Sequence, residues 1–218
     1  MPRKTKRAKP LIYVFCEGET EQCYVNYLRN TFSDVAVIKA PVLGLFKEAI
    51  SKFDKEAQYR NAAEATDEIW FFFDTDDALI PDWNKNLRII KRLRNLRRDK
   101  IRVRLLMTSG CVEYWFLLYF AYCCPPCYTV PEKDRLLSQV QSYCTSYKKG
   151  DQQAVNEIAK HYAVAAENAA RSLQRLSAEG LPGLEDTDLR NEWLYKSTFT
   201  FSTVQEAIDF LVSLPARA

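Results

Sequence analysis

Residues 69–77 read Ile-Trp-Phe-Phe-Phe-Asp-Thr-Asp-Asp, and few folds accommodate that string. Five large apolar side chains in succession leave no polar face. A half-solvated strand is therefore a poor fit, whereas a central parallel strand covered on both faces suits them. The run stops on Asp74, Asp76 and Asp77. Carboxylates crowded after a buried strand repel one another and need water, hydrogen bonds or cations. A period of two puts Asp74 and Asp76 on the same side if the strand continues. Two hard oxygen donors on one side suit Mg²⁺ or Mn²⁺, which keep open positions for phosphate oxygens. A polar turn closing the strand is the other reading, because aspartate is common in turns.

The same pattern recurs along the chain. Residues 11–15 form a second apolar run, ending in Cys16-Glu17-Gly18-Glu19-Thr20-Glu21. Gly18 permits a tight turn, and Thr20 is placed to cap the helix that follows. Glu19 and Glu21 suit the positive end of that helix, whereas Glu17 sits before the turn, at a strand end. Residues 35–40 give a weaker strand, and residues 44–65 a helix. A helix opens at Pro81 and runs to about residue 98. Residues 101–107 make a further strand, and 111–122 a very apolar helix containing Glu113. Four strand-helix units with short connections predict an open, mostly parallel four-stranded sheet with flanking helices. Sites in such sheets lie at the carboxyl ends of strands, near the point where strand order reverses. If the strands at 11–15 and 69–73 are neighbours, Glu17 and Asp74/Asp76 converge, with Glu113 approaching from the side. Glu113 has a second role open to it, reaching back to a backbone N–H as in a capping box.

Pro125-Pro126 marks the end of this core. Helices are expected at 131–145, 151–178 and 203–214, which gives a basic tail (1–10), an α/β core (11–125) and a helical extension (126–218). No apolar run is long enough to span a bilayer, and the one after the basic N-terminus is too short for a signal peptide. A cytoplasmic protein is expected, with its seven scattered cysteines reduced. Cys124, Cys127, Cys144 and the lone His161 are spaced too irregularly for structural zinc, so ordinary thiols are preferred. No Walker A loop or Gly-x-Gly-x-x-Gly is present, which argues against ATP hydrolysis by this chain.

The net charge of +3 conceals an asymmetry. Arg3, Lys4, Lys6, Arg7 and Lys9 form a tail without acids, and residues 85–104 hold ten Lys or Arg against Asp99 alone. What remains is acidic, with 16 bases and 27 acids. A basic patch on an acidic body is the footprint of a nucleic-acid binder, with Arg88, Lys91, Arg94, Arg97 and Arg98 as the candidate contacts. A solvated helix face is the alternative.

A Glu at the first strand end and Asp-x-Asp at a later one resemble the Toprim domain of primases, topoisomerases and related nucleases. A closer resemblance is to the RloB family, also called AbiL-type abortive-infection proteins. Its Cys-Glu-Gly-x-Thr-Glu resembles residues 16–21, and its Asp-x-Asp resembles Asp74-Thr75-Asp76. Its Ser-x-x-x-Glu-x-Trp-x-Leu is similar to Ser109, Glu113, Trp115 and Leu117, and its Tyr-x-Lys block to Tyr147-Lys148-Lys149-Gly150. The chain departs from the family in carrying Gly110 where proline is usual, and in lacking a clear Asn-Pro-x-Thr element near residues 198–203.

The resemblance implies a Toprim-like (Rossmann-like) fold and a metal-dependent nuclease of antiphage defence. It implies RNA, with tRNA among the candidates, or DNA as substrate, and a partner ATPase of the ABC/AAA-like type (RloA). Asp74 and Asp76 would hold Mg²⁺ or Mn²⁺, Glu17 and Glu113 would be further ligands or acid/base groups, and Lys148 or Lys149 would stabilise developing charge. A Toprim-like nucleotidyl- or phosphotransferase and a non-catalytic nucleic-acid-binding subunit are the alternatives. The oligomeric state is left open.

Overall fold

The computed structural model describes residues 9–75 and 82–215. Among them, five strands form one sheet: β1 (Leu11–Cys16), β2 (Val37–Ile38), β3 (Val42–Leu43), β4 (Thr66–Thr75) and β5 (Arg102–Ser109). All pair in parallel, in the order β2-β1-β4-β5, and β3 also lies beside β1. β2 meets the start of β1 and β3 meets its end, so the two share one edge position. The strand expected at 35–40 is therefore split and displaced. Pro41 stands in the gap, where it has no N–H to give a ladder.

Period two sorts the aromatic run of β4 into two cores. Trp70 and Phe72 pack with α1 (Glu19–Thr31), and with residues of α6 (Val130–Tyr143), α7 (Gln152–Ile158), α8 (Tyr162–Arg175) and α10 (Gln205–Ser213). Ile69, Phe71 and Phe73 pack on the other face with α2 (Phe46–Lys55), α4 (Trp83–Arg94) and α9 (Asp188–Lys196). All five of these side chains are 0% exposed, as expected for a strand covered on both faces.

Several expected helices are shorter or broken. The one expected over residues 44–65 breaks at Glu56, whose backbone is extended. α3 (Ala57–Ala62) starts there and brings Tyr59 against Tyr13 and Phe53. The apolar helix expected at 111–122 is only α5 (Glu113–Leu117). Its neighbours Cys111, Val112, Leu118 and Tyr119 are buried too, so its composition reports burial more than helix length. Residues 151–178 divide into α7 and α8 around a short 3-10 turn, Ala159–His161. α4 ends at Arg94, and its expected start, Pro81, lies outside the described residues. α9 has no counterpart among the expected helices.

Residues 199–203 close the outer edge of β5. Ser109 Oγ donates to the carbonyls of Phe199 (2.9 Å) and Phe201 (3.1 Å) and accepts from Phe201 N–H (2.9 Å). Thr203 Oγ1 accepts from Met107 N–H at 2.7 Å and donates to Leu105 O at 2.8 Å. Among the described residues, no helix is long and apolar enough to cross a membrane.

Gly110, at the exit of β5, has φ +70° and donates its N–H to Thr75 O at 3.1 Å. Proline, with φ fixed negative and no N–H, meets neither condition. A Cβ at Gly110 would fall 1.8 Å from the carbonyl oxygen of Cys127. Gly110→Ala is expected to cost on the order of 3 kcal/mol, combining left-handed strain with a backbone clash. Urea unfolding measures it, and a loss under about 1 kcal/mol would mean that the 110–127 contact relaxes freely.

Candidate functional site

Strand order turns at β1, with β2 on one side and β4 on the other, and the carboxyl ends of β1 and β4 lie side by side. Cys16 pairs with Phe72, and the ladder runs one step further as Glu17 N–H donates to Phe72 O at 3.0 Å. The Glu17 carboxylate then turns onto β4, where its Oε2 accepts from Asp74 N–H at 2.9 Å. These two expected site residues therefore meet by backbone geometry. Glu113 joins them from the first position of α5, beyond β5. Together with Glu21 and Lys149 they line a cleft of about 340 Å³.

Glu113 is 0% exposed. Its Oε1 accepts from Tyr147 Oη at 2.9 Å, and its Oε2 faces Lys149 Nζ at 3.4 Å, an ion pair without a hydrogen bond. No side chain caps α5, so the capping role open to Glu113 is not the one it takes. Its carboxylate is turned toward the cleft by two groups of a single turn. Burial, reinforced by Glu113, holds the Tyr147 phenol far above its usual pKa, so it stays a donor.

Glu21, expected only at the positive end of a helix, is 4% exposed and lines the cleft. Burial pushes its pKa up to about 7, and Glu17 and Glu113 add to the rise. Burial likewise raises Asp74 well above the carboxylate range, with Glu21, Glu17 and Glu113 adding and Lys133 of α6 opposing. A signal for Glu21 existed, since it stands four residues after Glu17 in the same sequence block, but its helix position offered a simpler account. Thr20 does not cap α1. Gly18 is the N-cap, and Thr20 Oγ1 accepts from Gly150 N–H at 2.9 Å.

Two buried oxygens in the cleft, Asp74 Oδ1 and Glu113 Oε2, have no hydrogen-bond partner among the described residues. Carboxylate oxygens in that state call for a proton or a hard cation. Among the described residues, no three His, Cys, Asp or Glu side chains are drawn into a ready metal cage. The donor set fits an ion that retains much of its water, as Mg²⁺ does. Asp76 and Asp77 lie outside the described residues. All seven cysteines are free thiols.

Other expected residues lie elsewhere. Lys148 is exposed and does not line the cleft. Arg94 is paired with Asp188 at 2.7 Å, and Arg97 bonds Thr66 O at 3.0 Å, at the start of β4. The length of β4 puts that end about 25 Å from Asp74. Arg88, Lys91 and Arg98 are exposed.

The fold and cleft define an α/β protein with acidic side chains gathered at the switch point of a parallel sheet. The family described as RloB-like protein matches residues 12–206, and the chain belongs to it. No curated protein and no solved structure matches the chain.

The raised Glu21 pKa has a definite stability sign. The folded state holds a proton that the unfolded chain releases near the ordinary value of 4.5, so stability falls as pH rises from there through about 7. Glu21→Gln, measured in EDTA, is expected to be more stable than wild type at pH 8 by on the order of 2 kcal/mol. At pH 4 the two should agree. A difference that ignores pH would contradict this picture of the cleft.

Proposed function

We propose that this protein is a metal-dependent nuclease, with RNA favoured over DNA as substrate, and that the phosphodiester is cut in the cleft where β1, β4 and α5 meet. One observation supports this above the rest: Asp74 Oδ1 is buried without a hydrogen-bond partner among the described residues, and in the same cleft the buried Glu113 Oε2 meets the Lys149 ammonium, at 3.4 Å, without a hydrogen bond. A buried acceptor left in that state costs on the order of 1–3 kcal/mol. A fold that keeps such an oxygen in a cleft with other carboxylates is explained by a ligand that uses it.

Glu17, Asp74 and Glu113 would hold Mg²⁺ or Mn²⁺, with Asp76 as the remaining member of the motif. Bound there, the metal would neutralise charge on the scissile phosphate and acidify the attacking water. Glu17, exposed at the mouth of the cleft, would serve either as a further ligand or as the base that takes a proton from the attacking water. Tyr147 fixes the Glu113 carboxylate, and the Lys149 ammonium, 59% exposed, offsets charge that develops on the phosphate. The exposed bases of α4 and the turn after it track the backbone further along. A role in antiphage defence beside an ABC/AAA-like ATPase follows the family resemblance.

The test is incubation of the purified protein with total RNA and with duplex DNA, in Mg²⁺, Mn²⁺ or EDTA. Cleavage is expected only with metal. Asp74→Asn and Glu113→Gln should each lower it by about 100-fold or more while remaining folded. Absence of metal-dependent cleavage of either nucleic acid would sink the reading.

A second expectation concerns α4 and the turn after it. Replacing Arg88, Lys91 and Arg98 with Gln should reduce the salt slope of binding by roughly one counterion per lost phosphate contact. Arg94 and Arg97 are left intact because their partners are within the fold. An unchanged slope would identify this face as merely solvated.

A further inference from the structure

Gly150 is held at both backbone polar atoms by side chains of α1. Its N–H donates to Thr20 Oγ1 at 2.9 Å, and its carbonyl accepts from Cys23 Sγ at 3.4 Å. Both side chains are buried, at 6% and 9% exposure. Gly150 itself has φ +74°, a left-handed turn residue. The residue before it is Lys149, and the turn opens with Tyr147, whose carbonyl is held by Gln141 Nε2 of α6 at 3.2 Å. The turn that addresses both oxygens of Glu113 is thus pinned at its far end by α1.

Thr20 is in the first turn of α1, where a hydroxyl ordinarily serves the helix's own N–H groups. Here it serves an amide 130 positions away instead. A half-exposed lysine has many rotamers, and an anchored adjacent residue is what narrows them.

We infer that Thr20 is a positioning residue: by accepting the Gly150 N–H it fixes the Lys149 ammonium against Glu113 and aims it into the cleft. The catalytic consequence rests on the proposed nuclease function, whereas the chain of contacts from Thr20 to Glu113 does not.

Thr20→Val keeps the shape and removes the acceptor, and Thr20→Ser keeps the acceptor. Three measurements on the full chain test the inference. The first is hydrogen exchange at the Gly150 amide. The second is acylation of the Lys149 amine by an N-hydroxysuccinimide ester, relative to exposed Lys148, read by mass spectrometry. The third is steady-state cleavage.

For Thr20→Val, Gly150 exchange is expected to rise about tenfold or more. The Lys149-to-Lys148 acylation ratio should rise severalfold. The kcat should fall about tenfold or more with KM unchanged, since only the aim of a charge is lost. Thr20→Ser should restore all three. An acylation ratio equal to wild type in Thr20→Val, or a loss that serine does not rescue, overturns the inference. If the wild-type protein cuts nothing, the nuclease reading fails alone, and the acylation ratio still decides the role of Thr20. Should Thr20→Val not fold, Thr20→Ala removes the same acceptor with a smaller side chain suited to a helix and is expected to raise the same ratio. An unchanged ratio there overturns the inference equally.

Discussion

A strand covered on both faces can place charge only where that charge is matched, or at its end. β4 does both. Near its start, Glu68 is 4% exposed, and its two oxygens take Arg104 Nη2 at 2.9 Å, Arg104 Nε at 3.1 Å and the Trp70 indole N–H at 2.5 Å. A buried carboxylate with three donors is a finished structural element. Six residues further on, Asp74 has one buried oxygen with no partner and three acidic neighbours raising its pKa. The same strand satisfies one carboxylate and leaves the other unsatisfied. That contrast, more than acidity alone, sets the cleft apart from the rest of the strand.

The fold was legible where burial dictates sequence. The runs at 11–15 and 69–73 named the two central strands, and their adjacency brings Glu17 to the Asp74 amide. Legibility failed where local pattern and tertiary placement diverge. Residues 111–119 are apolar because they are buried, so periodicity could not show that the helix is five residues long. Pro41 interrupts the edge strand through a missing N–H that no hydrophobic pattern records. In the site, the carboxylates at strand ends were readable, and Glu21 was not. A glutamate in the first turn of a helix has an ordinary explanation, and only tertiary packing removes the water that explanation assumes. Thr20 departs from its expected capping role for the same reason, as its hydroxyl belongs to a contact between segments far apart in sequence.

Acidic cleft and basic helix are separate devices on this molecule. α4 runs back from the cleft end of the sheet, and two bases at its far end are occupied in holding the fold: Arg94 on Asp188, and Arg97 on the start of β4. Charge counts along a sequence do not distinguish a cation facing solvent from one closing a seam. The positive groups acting on the cleft are individually placed, with Lys149 in its wall against Glu113 and Lys133 of α6 opposing the charge of Asp74 and its neighbours. Local stability and local chemistry are therefore coupled, because the groups that relieve repulsion among the carboxylates also meet whatever enters.

The turn at residues 147–150 also has a consequence for the order in which the molecule comes into being. A growing chain of 125 residues already contains Glu17, Glu21, Asp74 and Glu113, but neither the phenol nor the ammonium that sets Glu113. The outer edge of β5 waits longer still, for the Thr203 hydroxyl and the backbone of Phe201. Contacts spanning so much of the sequence are slow to form and arrive late. During synthesis the acidic side chains therefore precede their clamp, and a half-made chain carries the carboxylates without the arrangement that gives them a shared purpose.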